Sequence, residues 1–100
     1  MLDLKGYQKK YLRSKAHALR PVVVVGKNGL TSQVLEKVEA SLTEHELIKI
    51  RFLEFKKEKK ELCVRIESET QSMMAGLIGH VAIFYRPFKD SEKKEIKLPD

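Results

Sequence analysis

Apolar residues recur at helical spacing through the first fifth of the chain, then give way to an unbroken β-branched run. Leu4, Tyr7, Tyr11, Leu12, Ala16 and Leu19 predict an amphipathic helix over residues 4–18. Pro21 ends it, because the residue before a proline is driven toward extended backbone. Val22-Val23-Val24-Val25 follows, and four β-branched residues, apolar on both faces, predict a strand near the centre of a sheet. Val34, Leu35, Val38 and Leu42 mark the buried stripe of a second helix over residues 32–43. Thr31 is its N-cap, with Leu30 and Leu35 placed as a hydrophobic staple. Residues 46–53 alternate, with Ile48, Ile50 and Phe52 to one side and Lys49 and Arg51 to the other. That pattern predicts a strand in a sheet covered on one side only.

The second half is more heavily charged. Leu62, Cys63 and Ile66 lay a narrow apolar stripe through residues 56–70, which predicts a third helix. Residues 73–78 and 81–86 predict two strands joined by Gly79-His80, since glycine at the first loop position suits a type II′ hairpin. Beyond Pro87 the tail is polar and charge-balanced, and Ile96 and Leu98 are the side chains able to pin it to the sheet edge. The order α-β-α-β-α-β-β predicts an α/β two-layer open-faced sandwich, a mixed sheet of about four strands with helices packed on it. No repeat or linker interrupts it, so residues 1–100 are read as a single domain with a charged C-terminal tail over 87–100.

Charge changes the picture. Net charge is +6, and its distribution is lopsided. Residues 1–31 hold seven basic side chains and one acidic, whereas residues 32–100 hold thirteen of each. A basic excess confined to one region is the footprint of a polyanionic partner. Lys5, Lys9 and Arg13 form a stripe at i, i+4, i+8 on the first helix, although lysine runs also form ordinary solvated faces. The charged cluster from Lys56 to Glu61 is partly neutralised by its own glutamates and reads as such a face.

Between the first strand and the second helix stands Gly26-Lys27-Asn28-Gly29. Two glycines framing a lysine let the backbone approach an anion closely, because no Cβ stands in the way. The amides that open the following helix point into the same space. A GxxG loop clamping a nucleic-acid backbone is the device of KH-type modules. Glycines also punctuate tight turns that bind nothing.

Three blocks narrow the choice. Residues 16–31, AHALRPVVVVGKNGLT, resemble the opening signature of the CRM domain (chloroplast RNA splicing and ribosome maturation). His45-Glu46-Leu47-Ile48-Lys49-Ile50 resembles its second block, and residues 78–87, IGHVAIFYRP, its last. The resemblance implies a fold like the C-terminal domain of a bacterial translation initiation factor. It also implies a cytoplasmic RNA-binding protein, similar to the bacterial stand-alone YhbY-like members, that associates with ribosomal RNA in precursors of the large subunit. On that reading Gly26, Lys27, Asn28 and Gly29 contact RNA. Thr31 and Ser32 amides complete the cradle, and Lys5, Lys9, Lys10 and Arg13 extend the track if the first helix packs beside the loop. Lys49 and Arg51 on the open sheet face are further contacts. Gly29→Asp and Lys27→Glu are expected to weaken RNA binding at a nearly unchanged thermal midpoint.

Other classes are constrained by what the chain contains. The alternatives are an interaction module docking an acidic protein partner on the assembling ribosome and, less favoured, a small phosphate-handling enzyme using the glycine loop for an anion. His17, His45 and His80 lack metal-ligand spacing, no nucleophile is partnered, and no P-loop is present, so neither an enzyme nor a cofactor or metal is expected. Cys63 is the only cysteine, which rules out an internal disulfide and reads as a small core residue. No apolar run approaches a membrane span, and Met1-Leu2-Asp3-Leu4-Lys5 lacks a signal-peptide core, so no membrane contact is expected. A monomer is expected, with dimerisation through an exposed strand edge left open. Tyr7, Tyr11 and Tyr85 are the aromatic residues considered for base stacking. They serve equally as core, which favours backbone and shape readout.

Overall fold

The computed structural model describes residues 3–100; Met1 and Leu2, part of the N-terminal segment read above, lie outside them. The elements are α1 (Gly6–Ala16), β1 (Val23–Val25), α2 (Ser32–Glu44), β2 (Leu47–Phe52), α3 (Lys59–Thr70), β3 (Met73–Ile78) and β4 (Val81–Tyr85). A short 3-10 turn, Ser91–Lys93, lies in the tail. The expected α-β-α-β-α-β-β order and four-stranded mixed sheet are therefore present. Strands lie in the order β1-β2-β4-β3. β1 runs parallel to β2 with Val25 opposite Phe52, and β2, β4 and β3 pair antiparallel.

Alternation sorts the side chains to two faces. Ile48, Ile50 and Phe52 of β2, Ala82 and Phe84 of β4, and Val23 and Val25 of β1 meet Val38, Leu42, Cys63 and Ile66 of α2 and α3. Leu47, Ala75, Ile83 and Tyr85 point to the other side, where Leu12 and Ala16 of α1 cover them. The one-sided cover predicted from β2 therefore holds only over part of the sheet. Lys49 and Arg51 do face outward beside Val22 and Val24, but β4 is buried on both faces because α1 crosses it.

The valine run predicts a central strand, yet β1 is an edge strand. Val23 and Val25 are buried, whereas Val22 and Val24 are 39% and 45% exposed. β-branching made the strand; only one of its faces found a core. α1 stops two residues short of the predicted end, where Leu19 N donates back to Ala16 O at 2.9 Å, and Leu19 and Tyr7 stay exposed. The Gly79-His80 turn behaves as read, with Gly79 at φ 60° and His80 outside the left-handed region.

The tail is tied down by a residue the sequence did not single out. Glu46 is buried, and its carboxylate accepts from Phe88 N (2.8 Å), Glu95 N (2.7 Å) and Ile96 N (2.8 Å). Ile96 and Leu98 pack on the α1 side of the sheet, and Gln8 Nε2 donates to Pro99 O at 3.0 Å. Nearby, Arg86 clamps Glu39 through both guanidinium nitrogens (2.9 and 2.6 Å) and donates to Thr70 O, linking β4 to α2 and α3. That guanidinium holds the Glu39 carboxyl below its usual range, against a smaller opposing effect of burial.

Candidate nucleic-acid interface

Two elements build the corner at the end of β1. Gly29 N donates to Gly26 O at 3.0 Å, closing a tight turn with Lys27 and Asn28 at its exposed tip. Thr31 then caps α2, its Oγ1 accepting from Val34 N at 3.1 Å. The hydroxyl is thus engaged in the cap, while the amides of Ser32 and Gln33 occupy helix positions with no intrahelical acceptor. Anions favour such a place.

The two glycines have different reasons to be there. Nothing lies within 4 Å of the position a Cβ on Gly26 would take. Gly26 is the bare approach to the backbone. Gly29 is buried at φ 71°, and a Cβ on it would meet the Phe55 ring at 3.3 Å. Gly29 therefore serves the turn and its packing, and the expectation that Gly29→Asp leaves stability unchanged does not survive this geometry. A left-handed non-glycine residue costs about 1–2 kcal/mol before any clash.

The second element is the β2–α3 connection. Residues 56–58, predicted to be helical, are a turn instead, because Phe55 takes φ 57° and Glu58 N donates to Phe55 O at 3.1 Å. α3 starts only at Lys59, after Glu58, which makes no side-chain cap bond. Leu53 N and Glu54 N both donate to Val25 O (3.0 and 3.3 Å), which fixes this turn against the glycine corner. A cleft of about 630 Å³ lies between them, lined by three lysines (Lys27, Lys56, Lys57), two glutamates (Glu54, Glu58), Leu53 and Phe55. The lysines read as a neutralised helix face are thus set beside Lys27. Phe55-Lys56-Lys57, an aromatic residue next to a basic pair, was the available signal; the helical reading hid it.

The hairpin adds to the same end of the sheet. Lys59 Nζ lies 3.1 Å from His80 Nδ1 and donates to Gly79 O. Local dehydration, then the charges of Lys59, Lys56 and Arg51, hold the His80 imidazole below its ordinary value. Arg51 is exposed and registers opposite Val24, two residues before Gly26. Lys49 is half-buried, with Nζ donating to Leu19 O at 3.0 Å.

The α1 cations are elsewhere. α1 covers Leu47, Ala75, Ile83 and Tyr85 and does not run beside the glycine turn. Lys5 shares a groove with Tyr85, Arg86 and Leu98 at the opposite end of the sheet, five residues down β2 from Phe52, or about 17 Å. Arg13 is half-buried, donating from Nη1 to Ala75 O at 3.0 Å with its alkyl chain over Gly76. Lys9 is half-buried and Lys10 exposed on the same helix. Among the tyrosines, Tyr85 is buried, which raises its hydroxyl to about 12. Among the described residues no cluster of histidine, cysteine or carboxylate side chains could hold a metal, and no helix is long and apolar enough to cross a membrane.

Comparison with known proteins decides the family. The CRS1 / YhbY (CRM) domain model matches residues 4–86. The chain belongs to the CRM domain family. It is 42% identical over 100 residues to an "RNA-binding protein" of Haemophilus influenzae, covering 99% of this chain and 98% of that one. A Bacillus subtilis relative, named "Probable RNA-binding protein YqeI", is 34% identical over 97 residues, covering 96% and 99%. The solution structure of SAV1595 from Staphylococcus aureus superposes with a TM-score of 0.83 at 37% identity, over 96% of this chain and 99% of that one. In this CRM domain the turn between β1 and α2 lies within the matched residues, as do Phe55 and the lysines facing it.

Proposed function

We propose that this CRM protein binds ribosomal RNA in precursors of the large ribosomal subunit and assists their assembly, as a cytoplasmic, non-enzymatic monomer of one domain over residues 1–100. The observation that carries the RNA-binding reading is the exposed Lys27-Asn28 tip, with an open approach at Gly26 and Lys56 and Lys57 across the cleft. The ribosomal target and the assembly role rest on the family resemblance. A phosphate drawn to this corner meets the Lys27 ammonium, the Asn28 amide and the free amides at the start of α2. Gly29 and Thr31 hold the turn and cap in shape. Arg51 continues the path toward the hairpin and Lys49 supports it from the sheet. Lys5, Lys9, Lys10 and Arg13 belong to a second surface that only a larger, folded RNA reaches at the same time.

The experiment is binding of a structured ribosomal RNA fragment by fluorescence anisotropy, with a polyglutamate-rich acidic protein at equal salt as the comparison. Wild type is expected to prefer RNA, and Lys27→Glu to lose most of that preference while melting as wild type does. Equal RNA binding by the two would remove the loop from the interface. Stronger binding to the acidic protein would favour the docking alternative, for which the exposed Val22, Val24 and Ile78 beside Lys49 and Arg51 are the supporting feature. Crosslinking in cells, followed by sequencing of the attached RNA, tests the ribosomal target.

A further inference from the structure

Phe55 is a large aromatic side chain, 40% exposed, in a cleft it shares with Lys27, Lys56 and Lys57, the carboxylates of Glu54 and Glu58, and the exposed Leu53. Its backbone lies in the left-handed region, uncommon for a residue of that bulk. The conformation is fixed on both sides: Leu53 N and Glu54 N are bonded to Val25 O, and Glu58 N to Phe55 O. The ring edge rests on the bare Cα of Gly29, with Cε2 and Cζ nearest the space a Cβ would fill. The corner thus presents an aromatic ring at a set position next to Lys27, Lys56 and Lys57.

Such a ring has no core to fill. Phe55 belongs to neither of the two buried clusters. An aromatic ring held at a fixed position on left-handed backbone, with three lysines lining the same cleft, suits a ligand with an anionic chain and flat apolar faces. An unpaired nucleotide is that ligand: its phosphate answers the lysines and its base stacks on the ring. A base inside a duplex has both faces occupied by its neighbours, so the ring selects single-stranded RNA at this point.

We propose that Phe55 is a stacking platform for an unpaired base whose flanking phosphates lie on the Gly26–Gly29 turn. The proposal rests on the RNA-binding reading above and adds to it a nucleotide-contacting residue and a preference for unpaired RNA. It also gives the corner a role that backbone readout alone does not, since an aromatic ring distinguishes a base from an empty sugar.

The chain contains no tryptophan, so Phe55→Trp places a single reporter in the cleft. The probes are an oligoadenylate of about twelve nucleotides, an abasic oligomer of the same length, and a blunt RNA duplex. Phe55→Leu keeps an apolar cover over Gly29 while removing the ring, and Phe55→Tyr keeps the ring. Expected are a loss of about 5- to 150-fold in oligoadenylate affinity for Phe55→Leu, near-wild-type binding for Phe55→Tyr, and quenching of Phe55→Trp emission by oligoadenylate alone. Abasic and duplex binding are expected to be unchanged in Phe55→Leu, as is the salt slope. If Phe55→Leu binds oligoadenylate as wild type does and the tryptophan is not quenched, while Lys27→Glu still loses affinity, stacking is refuted and the loop reading stands. If Lys27→Glu also binds normally, the loop reading itself is refuted. Should Phe55→Leu melt early, the Phe55→Trp quenching pattern decides.

Discussion

The two glycines of the turn should respond in opposite ways to the same added methyl group. At Gly29 a Cβ is built into φ 71° backbone and meets the Phe55 ring at 3.3 Å. The conformational cost for an L-residue is about 1–2 kcal/mol, and displacing the ring adds to it. For a domain of this size about 1 kcal/mol moves the midpoint by roughly 4–8 °C, so Gly29→Ala should melt at least ~4 °C early. At Gly26 the methyl enters open space at an ordinary φ. Reduced freedom of the unfolded chain then stabilises the variant by about 0.4–1 kcal/mol, and Gly26→Ala should melt with wild type or slightly above it. Its RNA affinity should nevertheless fall, because the methyl separates a phosphate from the backbone it approaches. Losing one charge-assisted hydrogen bond of about 1.5–3 kcal/mol corresponds to roughly 10- to 150-fold. Thermal melts by circular dichroism and anisotropy with a ribosomal RNA fragment read the two quantities separately. The reasoning is refuted if Gly26→Ala unfolds early, if Gly29→Ala melts like wild type, or if Gly26→Ala binds RNA undiminished.

Four further outcomes follow from the geometry. Lys27→Gln and Lys56→Gln should each flatten the plot of log affinity against log salt by about 0.7–0.9, and an unchanged slope would remove that lysine from the phosphate contacts. RNA phosphates near the hairpin should raise the depressed His80 value, so binding takes up a proton and tightens as pH falls; NMR titration of the imidazole with and without RNA checks this, and identical curves would put the RNA elsewhere. Glu46→Gln turns an amide toward backbone N–H donors that now bond a carboxylate, costing about 1–3 kcal/mol. Urea unfolding measures that cost, and faster proteolysis within residues 88–100 should accompany it. Cys63 is fully buried, and burial together with Glu67 pushes its thiol up to about 11; a thiol reagent at pH 8 should label it only as fast as the protein unfolds, and rapid labelling would contradict the core placement.

The fold was legible wherever one local rule acted alone. The helical spacing around Val38 and Leu42, the alternation of Ile48, Ile50 and Phe52, and the Gly79-His80 turn each predicted the element that formed. What escaped were facts of partnership. Four valines say strand but not edge, since edge position depends on which strand β1 pairs with. Alternation in β2 says nothing of α1 lying across β4. Glu46 stood inside a family-like block with no local sign that its carboxylate would gather three amides from residues 88–96. The site was half legible. Gly26-Lys27-Asn28-Gly29 announced a turn, but the left-handed backbone at Phe55 has no sequence signature, and it is what delivers Lys56 and Lys57 to the turn instead of to a helix. In the stripe Lys5, Lys9 and Arg13, prominent as a pattern, Lys5 lies at the far end of the sheet and Arg13 is committed to Ala75 on the edge strand opposite β1.

Order and irregularity are divided between the two ends of this sheet. At one end Glu46 satisfies three amides, and Arg86 joins Glu39 to Thr70. Among the described residues no buried side-chain nitrogen or oxygen lacks a hydrogen-bond partner. At the other end stand an exposed ring on left-handed backbone, an α3 start without a side-chain cap, and lysines brought near one another. Each of these works against stability, and local rules broken together in one place are the mark of a surface shaped for a ligand. The arrangement is self-consistent only if the first end supplies the rigidity that the second does without. Substitutions near Glu46 should then lower the midpoint and leave RNA affinity intact in the folded fraction. Neutralising Lys27, Lys56 or Lys57 should do the reverse, leaving the midpoint at the wild-type value while affinity falls. A basic corner that merely solvates the protein would show no such opposition.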